Sequence, residues 1–192
     1  MGEEKAAPGS KQVLHVGCGP YDPNNLHEMF RGPQWREVRL DLNPEVEPDV
    51  VASITDMAIV EGDSMDGIWS AHNLEHLYPH EVTLALKEFY RVLKPGGILL
   101  LTVPDFQSAA RLIAEGKAEE PAYQSPAGPI TPLDMTFGLA AYIQQGNLFM
   151  AHHIGFTEQS LTNHLARAGF RKGKVMRKEA EFALWAIAQK PE

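Results

Sequence analysis

Residues 12–20 have the sequence Gln-Val-Leu-His-Val-Gly-Cys-Gly-Pro. The apolar run from Val13 to Val16 predicts a buried β-strand, and the glycines after it predict a tight turn. Glycine at positions 17 and 19 removes the Cβ atoms that would keep a ligand away from the backbone amides. A strand, a Gly17-x-Gly19 turn and a following short helix at 24–30 would therefore cradle a small ligand.

Strand-like and helix-like segments alternate after this stretch. Four compact apolar or β-rich runs predict further strands: residues 38–42, 49–53, 66–70 and 98–103. Apolar residues recur at helical spacing from Pro79 to Leu93, and Lys94-Pro-Gly-Gly97 predicts where this helix ends. This alternation indicates an α/β fold around a mostly parallel sheet.

The remainder of the chain predicts helices at 106–115, 133–145 and 157–168, the last with Thr157 as its N-cap and Gly169 as its end. Strands are expected at 174–176 and 182–188. The connection between these two strands is short, which favours an antiparallel pair and therefore one reversed strand near an edge of the sheet.

A proline-rich stretch interrupts this C-terminal half. Residues 121–132 contain four prolines, which neither a helix nor the interior of a sheet accommodates, so a loop is expected.

Composition limits the function. A length of 192 residues predicts a single domain over 1–192, with residues 1–10 flexible. A net charge of −8 opposes nucleic-acid binding and binding to acidic membranes. There is no signal-peptide pattern and no apolar run long enough to cross a membrane, and the single cysteine, Cys18, fits a reducing compartment, so the cytoplasm is expected. No oligomeric state follows from the sequence.

Asp41 indicates which kind of ligand the glycine turn would bind. It lies 24 residues after Gly17, at the end of the second predicted strand, where a carboxylate can accept both hydroxyl protons of a ribose. The turn continues as Pro20-Tyr-Asp22, without the third glycine of a dinucleotide site and without the Gly-Lys-Ser/Thr of a P-loop. The pattern therefore predicts an adenosine ligand that carries no phosphates.

Five segments together resemble the class I S-adenosylmethionine-dependent methyltransferases, in the branch with His-x-Leu-Glu-His after the fourth strand. The segments are 13–19, 40–44, 54–57, 66–77 and 93–104. The resemblance implies a Rossmann-like three-layer sandwich, with a seven-stranded, mostly parallel sheet and an antiparallel last strand. It implies S-adenosyl-L-methionine as cofactor and transfer of its methyl group to an acceptor. The sequence does not identify this acceptor: a small molecule or a sugar or lipid precursor is favoured, and another protein is the alternative.

The resemblance also implies a set of cofactor-binding residues. Leu42 and Ile54 would enclose the adenine, Asp56 would accept from its amine, and Ala71 and His72 would lie beside the sulfonium. The whole set comprises Val16, Gly17, Cys18, Gly19, Asp41, Leu42, Ile54, Thr55, Asp56, Ala71 and His72. This chain departs from the family in two places. His15 stands where an acidic residue usually contacts the cofactor's amino group, and the N-terminal helix that often covers the cofactor is expected to be short or missing.

Histidine is the natural general base for an acceptor hydroxyl or amine near neutral pH, and His72 and His153 are the catalytic candidates. The segment 106–155, between the fifth strand and the final helix, is expected to be an insertion that covers the acceptor. Its suggested lining is Tyr142, Phe149, Met150, His152 and His153. The alternative is that 133–145 is a structural helix packed on the sheet.

Other interpretations compete with these. Asp41 could end its strand in an Asx turn, Asp56 could cap a helix, and Cys18 is expected to fill the core without chemistry. His72-Asn-Leu-Glu75-His76 matches the inverted zinc-protease motif, but that motif needs both histidines on one helix, and His72 directly follows a predicted strand. No metal is therefore expected. A non-catalytic cofactor-binding module is the other alternative.

Overall fold

The computed structural model describes residues 9–192, so most of the expected flexible segment, residues 1–8, lies outside the described residues. The strands are β1 Lys11–Val16, β2 Trp35–Asp41, β3 Val50–Val51, β4 Met65–Ala71, β5 Leu93–Pro104, β6 Tyr123–Ser125, β7 Gly128–Ile130, β8 Arg171–Lys178 and β9 Ala183–Gln189. The α-helices are α1 Pro79–Val92, α2 Phe106–Ala114, α3 Pro132–Phe137, α4 Ala140–Gln144 and α5 Glu158–Ala168.

Seven strands form one sheet in the order β3-β2-β1-β4-β5-β9-β8. The pairs from β3 to β5 are parallel, whereas β9 pairs antiparallel with both β5 and β8. This confirms the predicted Rossmann-like sheet of seven strands with its last strand reversed. Val16 at the end of β1 is in register with Leu40 of β2 and with Ser70 of β4. The carboxyl ends of these three strands therefore meet at one edge.

Helices α1 and α5 cover one face of the sheet. Val82, Phe89 and Leu161 are fully buried there against Leu14 and other strand residues. Thr157 caps α5 by accepting a hydrogen bond from the backbone N–H of Ser160 at 3.1 Å, and Gly169 ends the helix in the left-handed conformation, as the sequence predicts.

The connection between β1 and β2 covers part of the opposite face of the sheet, and it does so without an α-helix. The short helix expected at 24–30 is only a 3₁₀ turn over Glu28–Phe30, so no α-helix follows the glycine turn. Nδ1 of His27 accepts the backbone N–H of Met29 at 3.1 Å, and such local capping competes with a longer helix. Phe30 is nonetheless buried in the core on this face.

Two predictions for the C-terminal half need correction. Residues 121–132 do not form a simple loop, because β6 and β7 pair there as a separate two-stranded hairpin. Pro129 is tolerated in β7 because each strand of a two-stranded ribbon has an unpaired outer edge. The helix expected at 133–145 is divided into α3 and α4 at Gly138, which has a φ of 94°. A Cβ atom there would lie 2.0 Å from the backbone oxygen of Met150, so a close chain crossing requires this glycine.

Candidate functional site

The glycine turn lies at the carboxyl end of β1. Gly17 and Gly19 have φ angles of 59° and 60°, which few residues with a Cβ adopt. A Cβ at Gly17 would lie 1.8 Å from Oδ1 of Asn73, whereas one at Gly19 would meet nothing within 4 Å. The Asn73 amide donates to the backbone oxygen of Val16 at 3.0 Å. Asn73, which follows β4, therefore packs closely against the turn at Gly17, whereas the backbone at Gly19 is open to a ligand.

Asp41 at the end of β2 is bound to this turn. Its Oδ2 accepts the backbone N–H of Gly19 at 2.9 Å, and its Oδ1 accepts the N–H of Asn43 at 2.9 Å. The Asx turn considered from the sequence therefore exists, together with the contact to the glycine turn. Each carboxylate oxygen keeps a second lone pair, so the same side chain can still accept ribose hydroxyls. The next residue, Leu42, is 53% exposed, so its side chain is available to stack on a ligand.

The other predicted adenine contacts lie in the turn after β3. Oγ of Ser53 and Oγ1 of Thr55 are 2.7 Å apart, and Oδ1 of Asp56 accepts the N–H of Ala58 at 3.3 Å. The exposed Asp56 begins no helix, so the capping interpretation does not apply to it. Ile54 is partly buried against the main core.

Cys18 is buried, with an exposed fraction of 3%. Its backbone N–H donates to the oxygen of Leu40 at 3.2 Å. Burial raises the pKa of the thiol to about 11, although the charge of Arg39 partly opposes this. The side chain thus has the environment of an inert core residue, and its contribution to a ligand site is its backbone.

His15 occupies the position where the resemblance leads one to expect an acid. Its side chain is buried, and Nδ1 lies 2.6 Å from Oε1 of Glu37 on the neighbouring strand β2. A carboxylate therefore lies in this region, but it comes from β2 and contacts the histidine.

A cleft of about 550 Å³ opens on the face opposite α1 and α5. We call it the aromatic cleft, and its lining residues are Trp69, Ala71, His72, Thr102, Tyr123, Gln124, Ser125, Pro126, Ala180, Glu181, Ala183 and Trp185. The rings of Trp69 and Trp185 are stacked with their centroids 5.8 Å apart. Nε1 of Trp185 donates to Oε2 of Glu181 at 2.7 Å. The cleft thus has flat apolar walls with a few polar groups, which is typical of small-molecule sites.

His72 lies at the rim of this cleft, directly after β4. It has a φ of 52°, and its backbone N–H donates to the oxygen of Thr102 at 3.0 Å. Its half-exposed ring places Nδ1 3.2 Å from Oε1 of the buried Glu75. Burial lowers the pKa of His72, but the adjacent Glu75 carboxylate raises it by more, so the net direction is upward.

His153 does not line the aromatic cleft. Its ring stacks on Tyr78 with centroids 4.2 Å apart, and its backbone N–H donates to the oxygen of Glu75 at 2.8 Å. Of the suggested acceptor lining, Tyr142 and Phe149 are exposed elsewhere on the segment. The cleft is instead bordered by the hairpin of β6 and β7.

The residues that sequence analysis missed are aromatic. Trp69 is only 5% exposed, yet it forms part of the cleft wall. Trp185 and Tyr123 lie 62 residues apart in the sequence and meet only because β9 pairs with β5 and the hairpin folds beside them. No local pattern of residues signals such a meeting.

Comparison with known proteins supports the fold seen here and matches part of the chain to a domain model. Residues 14–101 match a family model described as a methyltransferase domain, which spans the glycine turn, Asp41 and His72. A search of curated proteins found no match.

Solved structures with the same fold share little sequence with this chain. A Methanosarcina mazei S-adenosylmethionine-dependent methyltransferase is 19% identical with a TM-score of 0.60, covering 97% of this chain and 95% of that one. A Haloferax volcanii putative methyltransferase in complex with the activator Trm112 is 14% identical with a TM-score of 0.61, covering 96% and 85%. The Burkholderia thailandensis 1,6-didemethyltoxoflavin N1-methyltransferase, with that compound and S-adenosylhomocysteine bound, is 16% identical with a TM-score of 0.55, covering 95% and 72%. Within residues 9–192 of this protein, none of the helices has the length and apolar character needed to span a bilayer.

Proposed function

We propose that this protein is a methyltransferase that moves the methyl group of S-adenosylmethionine to a small acceptor held in the aromatic cleft. The observation that carries the proposal is the position of the cleft relative to the glycine turn. Ser70 of β4 is in register with Val16, the residue before the turn, and Ala71 and His72 follow directly into the cleft. Cofactor cradle and acceptor cleft thus begin at neighbouring strand ends, at the edge where parallel sheets bind ligands.

The residues at this edge fit the cofactor. The open backbone at Gly19 supports a contact with the methionine part, and the lone pairs left on Asp41 support one with the ribose. Leu42 offers an exposed apolar surface for the adenine, and Ile54, Thr55 and Asp56 follow β3, the strand that pairs with β2. The cofactor supplies an electrophilic methyl group on a sulfonium. The tasks left for the protein are to align the acceptor with that methyl group and to exclude water.

The cleft supports an acceptor with a flat apolar body. Trp69, Trp185 and Tyr123 offer ring faces or edges, and Glu181, Thr102 and His72 offer the polar groups that would orient a hydroxyl or amine. The Burkholderia neighbour, which holds 1,6-didemethyltoxoflavin, supports a small-molecule acceptor. A net charge of −8 favours such a molecule over a nucleic acid.

We assign the contact with the acceptor nucleophile to His72, because its ring lies at the rim of the cleft next to Ala71. His153 remains the second candidate from the sequence. It would reach an acceptor only after the chain between α4 and α5 moved. Replacing each histidine by asparagine separates them: His72→Asn should lower kcat at least tenfold, and His153→Asn should change it less than threefold.

The segment 106–155 borders the cleft through its hairpin, so we propose that residues 123–130 close over the bound acceptor. Gln124, Pro126 and Ala127 are exposed and accessible to a protease. Limited proteolysis should cut at 124–128 in the free protein and slow at least fivefold when S-adenosylhomocysteine and acceptor are both present. Equal rates in both states would make the hairpin a fixed wall.

The function is tested in two steps. Calorimetry should show S-adenosylhomocysteine binding at one site per chain, and labelled S-adenosylmethionine should then transfer its methyl group to members of a panel of aromatic hydroxyl and amine compounds. Trp185→Ala should raise the KM for the acceptor at least tenfold while cofactor affinity stays within threefold. Tyr142→Ala, which removes an exposed ring outside the cleft, is the matched control.

Two results would contradict the proposal in different ways. Failure to bind S-adenosylhomocysteine would remove the cofactor site. Binding without transfer to any acceptor would favour the non-catalytic module, for which the His15–Glu37 contact at the usual acidic position is the supporting observation. The buried, unpaired Cys18 supports a reducing compartment such as the cytoplasm for this activity.

A further inference from the structure

A buried carboxylate beneath His72 has no hydrogen-bond partner. Glu75 is 1% exposed, and neither of its carboxylate oxygens has a hydrogen-bond partner among the described residues. Nδ1 of His72 forms an ion-pair contact with Oε1 at 3.2 Å, and this contact leaves the buried Oε2 unbonded. Burying an ionised carboxylate without compensation is costly, so native proteins pair such a group or use it to coordinate a metal.

Two histidines face this carboxylate. Ligand atoms of Glu75, His76 and His152 all lie within 4.8 Å of one another. A shared ion held at about 2.1 Å from each ligand would bring neighbouring ligand atoms about 3.4 Å apart in a tetrahedral site. Side-chain rotations that close the remaining gap are therefore small.

The backbone orients both rings for coordination. Nδ1 of His76 lies 3.2 Å from the backbone oxygen of Ala151, and Nδ1 of His152 lies 3.0 Å from that of Met135. A carbonyl oxygen only accepts, so each Nδ1 must carry the proton. In the neutral ring, Nε2 then keeps its lone pair. Metal-binding histidines show this arrangement, in which the second nitrogen donates to a backbone carbonyl.

We propose that Glu75, His76 and His152 bind one divalent transition-metal ion of the zinc class. Two imidazoles and one carboxylate form a ligand set that suits Zn²⁺, Fe²⁺ or Co²⁺ and is poorly matched to Mg²⁺ or Ca²⁺. The site is not the inverted zinc-protease motif, because His72 follows a strand and His76 lies in a 3₁₀ turn, so the two share no helix. The metal-free state expected from the sequence rested on that motif alone and did not consider His152.

The positions of the ligands suggest what the ion does. Glu75 and His76 come from the connection between β4 and α1, whereas His152 comes from the segment before α5. The backbone bond from the His153 N–H to the Glu75 oxygen, 2.8 Å long, already joins these two segments. None of the three ligands lines the aromatic cleft. The ion would therefore tie the two segments together and fix Glu75, the residue that His72 contacts.

Metal binding is tested on the full chain, freed of any polyhistidine tag and treated with a chelator. Titration with Zn²⁺ at pH 7.5 should give one ion per chain with a submicromolar Kd and a rise in Tm, and Mg²⁺ should produce neither. Co²⁺ should give visible absorption bands of a site with nitrogen and oxygen ligands. These measurements need no cofactor and no acceptor, so their outcome is independent of the proposed methyl transfer.

Variants then identify the ligands. Glu75→Gln and His152→Asn, which replace the carboxylate and the imidazole by neutral amides, should each weaken Zn²⁺ binding at least 100-fold while circular dichroism remains that of the folded protein. The matched control is His80→Asn, which changes an exposed histidine only four residues from His76, and its affinity should stay within threefold. Should the wild type bind Zn²⁺ more weakly than 100 µM, or should either ligand variant retain wild-type affinity, the site is a hydrogen-bonding cluster and the proposal is wrong.

Discussion

The backbone N–H of Gly19 donates to Oδ2 of Asp41 at 2.9 Å, so the carboxylate that we assign to the cofactor ribose also holds the glycine turn in place. One side chain thereby joins the ends of β1 and β2. The two roles are separable by experiment, because the contact with the turn exists in the free protein and the ribose contact requires a ligand.

Asp41→Ala should weaken S-adenosylhomocysteine binding by about 2 to 4 kcal/mol, because it removes two charge-assisted hydrogen bonds to the ribose. It should also lower the free energy of unfolding by about 1 kcal/mol, because the Gly19 and Asn43 amides lose their acceptor. Calorimetry and urea unfolding measure these effects. The control is Asp49→Ala, which removes an exposed carboxylate that accepts the Arg39 N–H at 2.7 Å outside the glycine turn. Affinity within threefold of wild type in Asp41→Ala would refute the ribose contact.

The contact between the buried His15 and the partly buried Glu37 predicts how an acidic residue would behave at position 15. His15→Asp places a second carboxylate against Glu37 and should cost about 3 kcal/mol of stability, because like charges meet at a buried site. Adding Glu37→Gln should restore most of the loss. If position 15 faces the cofactor's amino group, the double variant should bind S-adenosylhomocysteine at least threefold more tightly than Glu37→Gln alone. Unchanged affinity would show that this position makes no contact with the cofactor.

Cys18 should be unreactive in the folded protein. With a pKa raised to about 11 by burial, only roughly one thiol in a thousand is ionised at pH 8, and the thiolate is the reactive form. Iodoacetamide labelling followed by mass spectrometry should show rates that rise about tenfold per pH unit between pH 7 and 9.5. Protein unfolded in urea is the control and should be labelled rapidly. Fast labelling of the native protein at pH 7 would contradict the assignment of Cys18 to the core.

Glu88 should make the free energy of unfolding depend on pH in the acidic range. Its hydrogen bond with Arg91, which is 2.7 Å long, lowers the pKa of Glu88, and the Met57 N–H adds to this while burial opposes it. Because the folded pKa lies below the unfolded one, the stabilisation is complete above about pH 5 and is lost as the pH falls through the lowered pKa.

Urea unfolding at pH 7 and pH 3.5 measures this effect. Glu88→Gln should lower stability by about 1 to 3 kcal/mol at pH 7 and by much less at pH 3.5. Glu115→Gln is the control, because Glu115 forms an exposed pair with Lys117 that should contribute little. An equal loss for Glu88→Gln at both pH values would mean that the ion pair does not stabilise the fold.

Local patterns determined much of the fold. The apolar run and glycines of 12–20 predict β1 and its turn, and the helical spacing of 79–93 predicts α1, because both depend on neighbours in the sequence. The resemblance to the class I S-adenosylmethionine-dependent methyltransferases rests on motifs of the same kind. The prediction of one helix over 133–145 failed because a close chain crossing at Gly138 divides it. The prediction of a loop over 121–132 failed because a two-stranded hairpin has only edge strands, which accept proline.

The tertiary structure alone decided which distant residues meet. Sequence analysis considered His72, Glu75 and His76 as one motif, but His76 and Glu75 instead meet His152, which lies 76 residues after His76. The aromatic cleft likewise joins Trp69 of β4 to Trp185 of β9 through the pairing of β5 with both strands. Spacing along a chain reports contacts within one helix or strand, whereas contacts between elements depend on the order of strands in the sheet and on the path of the connections. The glycine turn was therefore readable from its own residues, and the histidine cluster was not.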